Sequence, residues 1–310
     1  MVSCLARRSL HEELGAGLTA AQAFVSPKFF YDRLGSKLFE AITELPEYYP
    51  THTEGGILAR HAPAIAQRIG PSMALIDLGA GNCEKSRSLF GVLQPGQYVA
   101  VDIAIEMLRE AVGSLRQAFP EIEMLCLEID IAVGLALPDV VRKDKRLFFY
   151  PGSSIGNFTP DAALSLLSAI RQQCGSDGGL LIGVDLVKST EILEAAYDDS
   201  LGVTAAFNLN LLSHLNTLIG SDFDPRDWQH RALFNHGHSR IEMHLEARRK
   251  LTVTWAGGKR QFGQGERIHT ENSYKYRLED FRSLLEQAGF NRIEAWTDDL
   301  CWFAVCLATL

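Results

Sequence analysis

Six cysteines are all the chain has, at Cys4, Cys83, Cys126, Cys174, Cys301 and Cys306, and no two of them form a Cys-x-x-Cys pair. Such scatter provides neither a disulfide framework nor a thiolate zinc site, and it points to a reducing, cytoplasmic setting. Long hydrophobic runs are missing as well. The longest, near 180–187 and 302–310, fall far short of the ~20 residues of a membrane span, so no membrane partner is expected. Nor is there a lysine- or arginine-dense stretch: 30 basic residues face 38 acidic ones, for a net charge of -8, which argues against nucleic acid and for a small-molecule partner. Arg7-Arg8 is followed by Ser-Leu-His-Glu-Glu rather than by the apolar segment of an export signal, so no targeting segment is expected. His236, His238 and His244 lie close together without an evident fourth ligand, and Asp222, Asp224 and Asp227 lack calcium-loop spacing; no metal is expected.

What is present is the material of a large core, with 46% hydrophobic residues over 310 positions. Short β-branched or apolar runs at 73–78, 97–102, 121–129, 146–150 and 179–186 alternate with helical stretches such as 105–119 and 160–174. That rhythm predicts an α/β, doubly wound, Rossmann-like parallel sheet. After Lys188 it breaks into helical patterns around 190–197 and 204–219. An Asp/Pro/Asn/Gly-rich stretch follows, and then runs at 240–255 and 266–277 that read as antiparallel strands. A helix at 278–288 and strands at 292–296 and 301–307 resume the first pattern. The expected organisation is therefore a core at 63–188 and 278–310, interrupted by a second α+β domain at 189–277 that shares a cap with residues 1–62.

The strongest local signal is Leu75-Ile76-Asp77-Leu78-Gly79-Ala80-Gly81-Asn82-Cys83-Glu84-Lys85, a strand entering a Gly-x-Gly turn and then a helix. Glycines at 79 and 81 let a backbone approach a ligand where a Cβ would collide. A dinucleotide site wants a third glycine near position 84, and Glu84 there is a poor neighbour for pyrophosphate but acceptable near a sulfonium and an ammonium. The loop favours S-adenosylmethionine over NAD. Asp102, closing the second strand 23 residues after Gly79, suits the ribose hydroxyls. Asp130, after the third strand, suits the adenine amino group. Asp77 is a candidate to orient the loop and Lys85 to reach the donor's carboxylate.

Further motifs occur in order: Phe30-Tyr31-Asp32, Leu45-Pro46-Glu47-Tyr48-Tyr49-Pro50-Thr51, Gly152-Ser153-Ser154-Ile155-Gly156-Asn157, Ala196-Tyr197-Asp198-Asp199, Arg240-Ile241-Glu242-Met243 and Thr270-Glu271-Asn272-Ser273. With them the chain resembles, from about Ser26 to its end, the histidine Nα-methyltransferases of ergothioneine biosynthesis. The resemblance implies a class I methyltransferase sheet with a separate substrate-binding domain, and a monomer acting on free L-histidine to give trimethylhistidine (hercynine). It further implies that Tyr48, Gly79, Gly81, Lys85, Asp102 and Asp130 contact the donor, with Ile131 beside the adenine, and that Asn157 and Tyr197 hold the amino acid's amine and carboxylate. Glu271 and Ser273 would read the imidazole, Met243 would flank it, and Tyr31 would approach the amine. Ala80, Asn82, Cys83 and Ile131 depart from the residues usual in the family's donor site.

Glu271 and Ser273 make chemical sense of that acceptor. Two apart on a strand, they share a face, and a carboxylate with a hydroxyl can satisfy both nitrogens of an imidazole. An indole offers one N–H only, so a tryptophan acceptor would strand a buried polar group at a cost of roughly 1–3 kcal/mol. Methyl transfer needs alignment and a neutral amine rather than a protein nucleophile, and Tyr31 or Tyr48 is a candidate to relay the amine's proton. Quaternary ammonium products favour aromatic faces, with Phe39, Tyr48 and Tyr49 as candidates. An NAD-linked oxidoreductase and a nucleoside-sensing domain are the alternatives from other classes.

Overall fold

The computed structural model describes the backbone of residues 4–310 and side chains from Leu10 onward, so Cys4 and the Arg7-Arg8 pair lie outside the side chains described. The chain forms two compact units, Pro50–Val187 with Tyr274–Leu310 and Met1–Tyr49 with Lys188–Ser273.

The larger unit contains strands β1 (Ala74–Leu78), β2 (Gln97–Asp102), β3 (Glu123–Glu128), β4 (Arg146–Tyr150) and β5 (Gly179–Asp185). Near the C-terminus come β11 (Arg292–Thr297) and β12 (Phe303–Thr309), and the seven form one sheet in the order β11-β12-β5-β4-β1-β2-β3. The first five are mutually parallel, while β12 runs antiparallel to both of its neighbours. Every residue of β1, β4 and β5 is buried, as expected of central strands covered on both faces. Alternate side chains feed two separate cores. Ile76, Leu78, Val99, Val101 and Phe148 pack with helices α6 (Pro160–Gln173) and α9 (Leu278–Gln287). Leu75, Tyr98, Ala100, Leu147 and Phe149 pack with α3 (Tyr49–Ile69), α4 (Glu84–Leu93) and α5 (Ile105–Ala118). Strand order reverses between β1 and β4, which makes their carboxyl ends the crevice where such sheets bind ligands.

Helix α3 is a structural feature the sequence pattern did not announce. Gly55, Gly56 and Pro63 all disfavour a helix interior, yet Ile57, Leu58, Ala62 and Ile65 recur on one stripe and are almost wholly buried. The expected domain boundary near residue 62 falls inside this helix.

The smaller unit carries a three-stranded sheet, β10 (Arg267–Tyr274), β7 (Arg240–Ala247) and β6 (Trp228–Asn235) in that order, and a hairpin of β8 (Leu251–Trp255) with β9 (Gly258–Phe262). The expected single run at 240–255 is in fact two strands, broken at the bend over Arg248 and Arg249. Strand β6 lies in the Asp/Pro/Asn/Gly-rich stretch, where no strand is expected. Only its first and third residues, Trp228 and His230, are buried, so its alternation is too brief to stand out. Helix α8 (Val203–Ile219) buries Phe207, Leu211, Leu212 and Leu215, while α1 (Cys4–Thr19), α2 (Arg33–Thr43) and the short α7 (Thr190–Ala195) complete the unit. Two Asp199 oxygens accept from the backbone N–H groups of Val203 (3.0 Å) and Thr204 (2.7 Å), giving α8 an anionic cap at its positive end. Gly35 has no freedom to spare in α2: a Cβ there would overlap the carbonyl oxygen of Phe30.

Candidate active site

In the larger unit, β1 ends in a loop whose Gly79 (φ +68°) and Gly81 (φ +53°) occupy the left-handed region, and a Cβ on either would enter open space. The glycines are required by backbone conformation and leave the loop's outer side clear. The loop is tied to β2 by backbone bonds from Gly79 and Ala80 to Val101 (2.8 and 3.1 Å) and by Gly81 N–H donating to Asp102 Oδ2 (2.9 Å). Asp102 Oδ1 accepts from Ala104 N–H (2.9 Å), and each oxygen retains a further acceptor direction. Asn82 Oδ1 accepts from Glu84 N–H (3.2 Å), so one departure from the family pattern closes a local turn just before α4. Cys83 holds φ +61° and is buried, which pushes its thiol up to about 12.

Asp77 does not meet the loop amides expected of it. It is buried beneath the loop, where Tyr98 O–H donates to its Oδ2 (2.8 Å), and its Oδ1 has no partner among the described residues. Burial raises its carboxyl to about 6 against the hydrogen bonding of Ser86 and Tyr98. Lys85 is likewise engaged: its Nζ lies 2.5 Å from Glu54 Oε2, a carboxylate on α3 that no sequence motif marks. Asn157 closes a short helical turn, Ser154–Asn157, in the loop after β4 and is half-buried. Asp130 stands two residues beyond β3, where Oδ1 accepts from Ala132 N–H (3.0 Å); Ile131 packs against the core.

In the smaller unit the sequence-predicted residues converge. Tyr197 O–H and Ser273 Oγ are hydrogen-bonded at 2.8 Å, both nearly buried. Tyr48 meets Tyr197 edge-on at 6.1 Å, Phe39 meets Tyr48 at 6.2 Å, and Tyr31 meets Phe39 at 5.8 Å, centroid to centroid. Phe207 of α8 completes this aromatic wall, 6.0 Å from both Tyr31 and Phe39 and stacked on Phe30 at 4.5 Å. Phe207 is one of several buried apolar residues of α8, with Leu211, Leu212 and Leu215, so nothing local in the sequence distinguishes it from ordinary core. Tyr49 is a different case from Tyr48: Lys188 Nζ donates to its hydroxyl (2.8 Å) and sits over its ring at 4.4 Å. Met243, buried on β7 opposite Ala232, accepts at its carbonyl from Thr270 Oγ1 (3.0 Å). Glu271 is half-buried on β10, two residues before Ser273.

Behind these groups stands a buried polar chain. His230 Nε2–H donates to the Tyr197 carbonyl (2.8 Å), which leaves Nδ1 to accept from Asn208 Nδ2 (2.8 Å), and Asn208 also donates to the His244 carbonyl (3.1 Å). Burial lowers the His230 pKa, so the ring is held neutral. His244 is lowered further, to about 4, by burial and by the neighbouring His269. His236, His238 and His244 form no metal cluster, and none exists among the described residues. Glu246 is buried between Gln229 (2.6 Å) and Arg267 (2.7 Å). No helix among the described residues is long and apolar enough to cross a membrane.

A family profile described as histidine-specific, S-adenosylmethionine-dependent methyltransferase matches residues 10–310. The chain belongs to this family. Among its relatives is a histidine N-alpha-methyltransferase of Mycolicibacterium smegmatis, 38% identical over 311 residues that cover 98% of this chain and 95% of the relative. Another is the histidine N-alpha-methyltransferase of Mycobacterium tuberculosis, 35% identical over 97% of this chain and 94% of the relative. A 4-dimethylallyltryptophan N-methyltransferase of Arthroderma benhamiae is 25% identical, covering 94% of this chain and 91% of its own length. The sheet order, with its antiparallel strand β12 between β5 and β11, is that of a class I methyltransferase. S-Adenosylmethionine is accordingly the co-substrate of this family member.

Proposed function

We propose that the chain transfers methyl groups from S-adenosylmethionine to the α-amino nitrogen of free L-histidine, three times in succession, giving trimethylhistidine (hercynine) for ergothioneine synthesis. The observation that carries this reading is the hydrogen-bonded Tyr197–Ser273 pair set against the aromatic wall of Tyr31, Phe39, Tyr48 and Phe207. It offers polar groups for an amino acid and its ring beside faces suited to an increasingly methylated ammonium. In this account Tyr197 and Asn157 hold the carboxylate and amine. Glu271 and Ser273 take the two imidazole nitrogens, and Met243 flanks the ring. Gly79, Gly81, Asp102, Asp130 and Ile131 hold the donor, whose fit is supported by the open space outside the two glycines.

The donor supplies an electrophilic methyl on a sulfonium. The amine's lone pair forms the new N–C bond as the S–C bond breaks with its electrons passing to sulfur. Each of the first two additions leaves an ammonium that must lose a proton before the next. Tyr31 or Tyr48 relays that proton, directly or through water, and no protein nucleophile is required. Incubating the protein with S-adenosylmethionine and either histidine or tryptophan, with products read by mass spectrometry, tests the reading. It predicts one, two and then three added methyl masses on histidine. Methylation of tryptophan alone would overturn it.

A further inference from the structure

Glu54 is a charged side chain of the larger unit that the reading above leaves without a task. It is 1% exposed, although a carboxylate buried without compensation is strongly disfavoured. Among the described residues its partners are two. Lys85 Nζ lies 2.5 Å from Oε2, and the backbone N–H of Gly152 donates to Oε1 and Oε2 at 2.8 and 2.9 Å. The surroundings are shaped to admit it: a Cβ on Gly183 of β5 would overlap Glu54 Oε1, and one on Gly152 (φ +77°) would stand 3.3 Å from Lys85 Nζ. Lys85 belongs to the helix after the Gly-x-Gly turn, and Gly152 opens the loop that ends in Asn157.

We propose that Glu54 is a positioning residue: it fixes the Lys85 ammonium for the donor's carboxylate and, by the same two oxygens, anchors the Gly152 end of the Asn157 loop. Of the three ammonium N–H groups of Lys85, one points to Glu54, which orients the other two. The ion pair also offsets the cost of burying the carboxylate. This inference rests on the methyltransferase reading.

Glu54→Gln preserves volume and an acceptor for Gly152 but removes the charge that places Lys85. Titration calorimetry with S-adenosylhomocysteine, a readout separate from turnover, should show about tenfold weaker binding, with KM for histidine nearly unchanged. Lys85→Met should weaken binding at least as much, and adding Glu54→Gln to it should cost nothing further, because Glu54 acts through Lys85. Wild-type affinity in Glu54→Gln, or effects that multiply in the double variant, would overturn the proposal. If Glu54→Gln fails to fold, Glu54→Asp, which keeps the charge but draws it back from Lys85, carries the same test. Failure of the wild-type protein to bind S-adenosylhomocysteine would instead reject the methyltransferase reading itself.

Discussion

The Gly-x-Gly loop of the larger unit is shaped by backbone, whereas the Tyr197–Ser273 cluster of the smaller unit is shaped by side chains. Around Gly79 and Gly81 the structure consists of left-handed turns and strand-end amides, with Asp102 bonded to the loop and Asp77 buried beneath it. Around Tyr197 and Ser273 it consists of hydroxyls and rings held from behind by His230 and Asn208. A backbone-built site reads a feature shared by many ligands. A side-chain-built site can be respecified residue by residue, which fits a family in which one relative's name specifies histidine and another's a prenylated tryptophan.

The two units also bury opposite titrations, and acid should separate them. His244 in the smaller unit is lowered from 6.5 to about 4, so between those values the unfolded chain binds a proton that the folded chain refuses. Its stabilisation is complete above pH 6.5 and is lost as pH falls toward 4. Asp77 in the larger unit is raised from 3.8 to about 6, so there the folded chain holds the extra proton, and a penalty present above pH 6 is relieved by acidification. Each effect amounts to about 3 kcal/mol at full extent. Hydrogen exchange at about pH 5 against about pH 7, corrected for intrinsic rates, should show protection falling in β6, β7 and α8 while β1 and β2 hold or gain. Uniform loss across both units would contradict the contrast.

Substitutions sharpen it further. Glu271→Gln should lower kcat/KM for histidine roughly 10- to 100-fold by removing a charged acceptor from the ring, with S-adenosylhomocysteine affinity unchanged by calorimetry. Asp102→Asn should do the converse, weakening the donor about tenfold and leaving the histidine KM near wild type, since it loses charge but keeps one acceptor for Gly81. A shared loss in either variant would erase the division of labour. The smallest effect is expected from Tyr31→Phe: turnover should fall several-fold while donor affinity holds, because the ring and its contact with Phe39 survive and only the hydroxyl goes. Undiminished turnover would remove Tyr31 from the proton path.

The same contrast explains how much was legible in advance. Strands buried on both faces are continuous apolar runs, so β1, β2, β4 and β5 could be read within a residue or two, and the Gly-x-Gly turn with Asp102 pointed to the donor on physical grounds. The smaller unit was legible mainly through resemblance. β6 is mostly half-exposed and β9 is short and polar, so both fell below the pattern's reach, and β8 was legible only as the tail of the run at 240–255. Glu54 was hidden because α3 contains two glycines and a proline, and only packing of Ile57, Leu58 and Ile65 overrides those propensities. Phe207 and His230 carry no local signal, because their significance lies in Tyr31, Phe39 and Tyr197, which are distant in sequence. Asp77 was assigned to the loop, but its partner is Tyr98, 21 residues on and buried on β2.

The central claim is that Glu271 and Ser273 select an imidazole. The most direct measurement is calorimetric titration of the protein, with S-adenosylhomocysteine bound, by histidine and by tryptophan. Histidine should bind at least tenfold more tightly, and Glu271→Gln should remove most of that preference. Tighter binding of tryptophan by the wild-type protein would contradict the account.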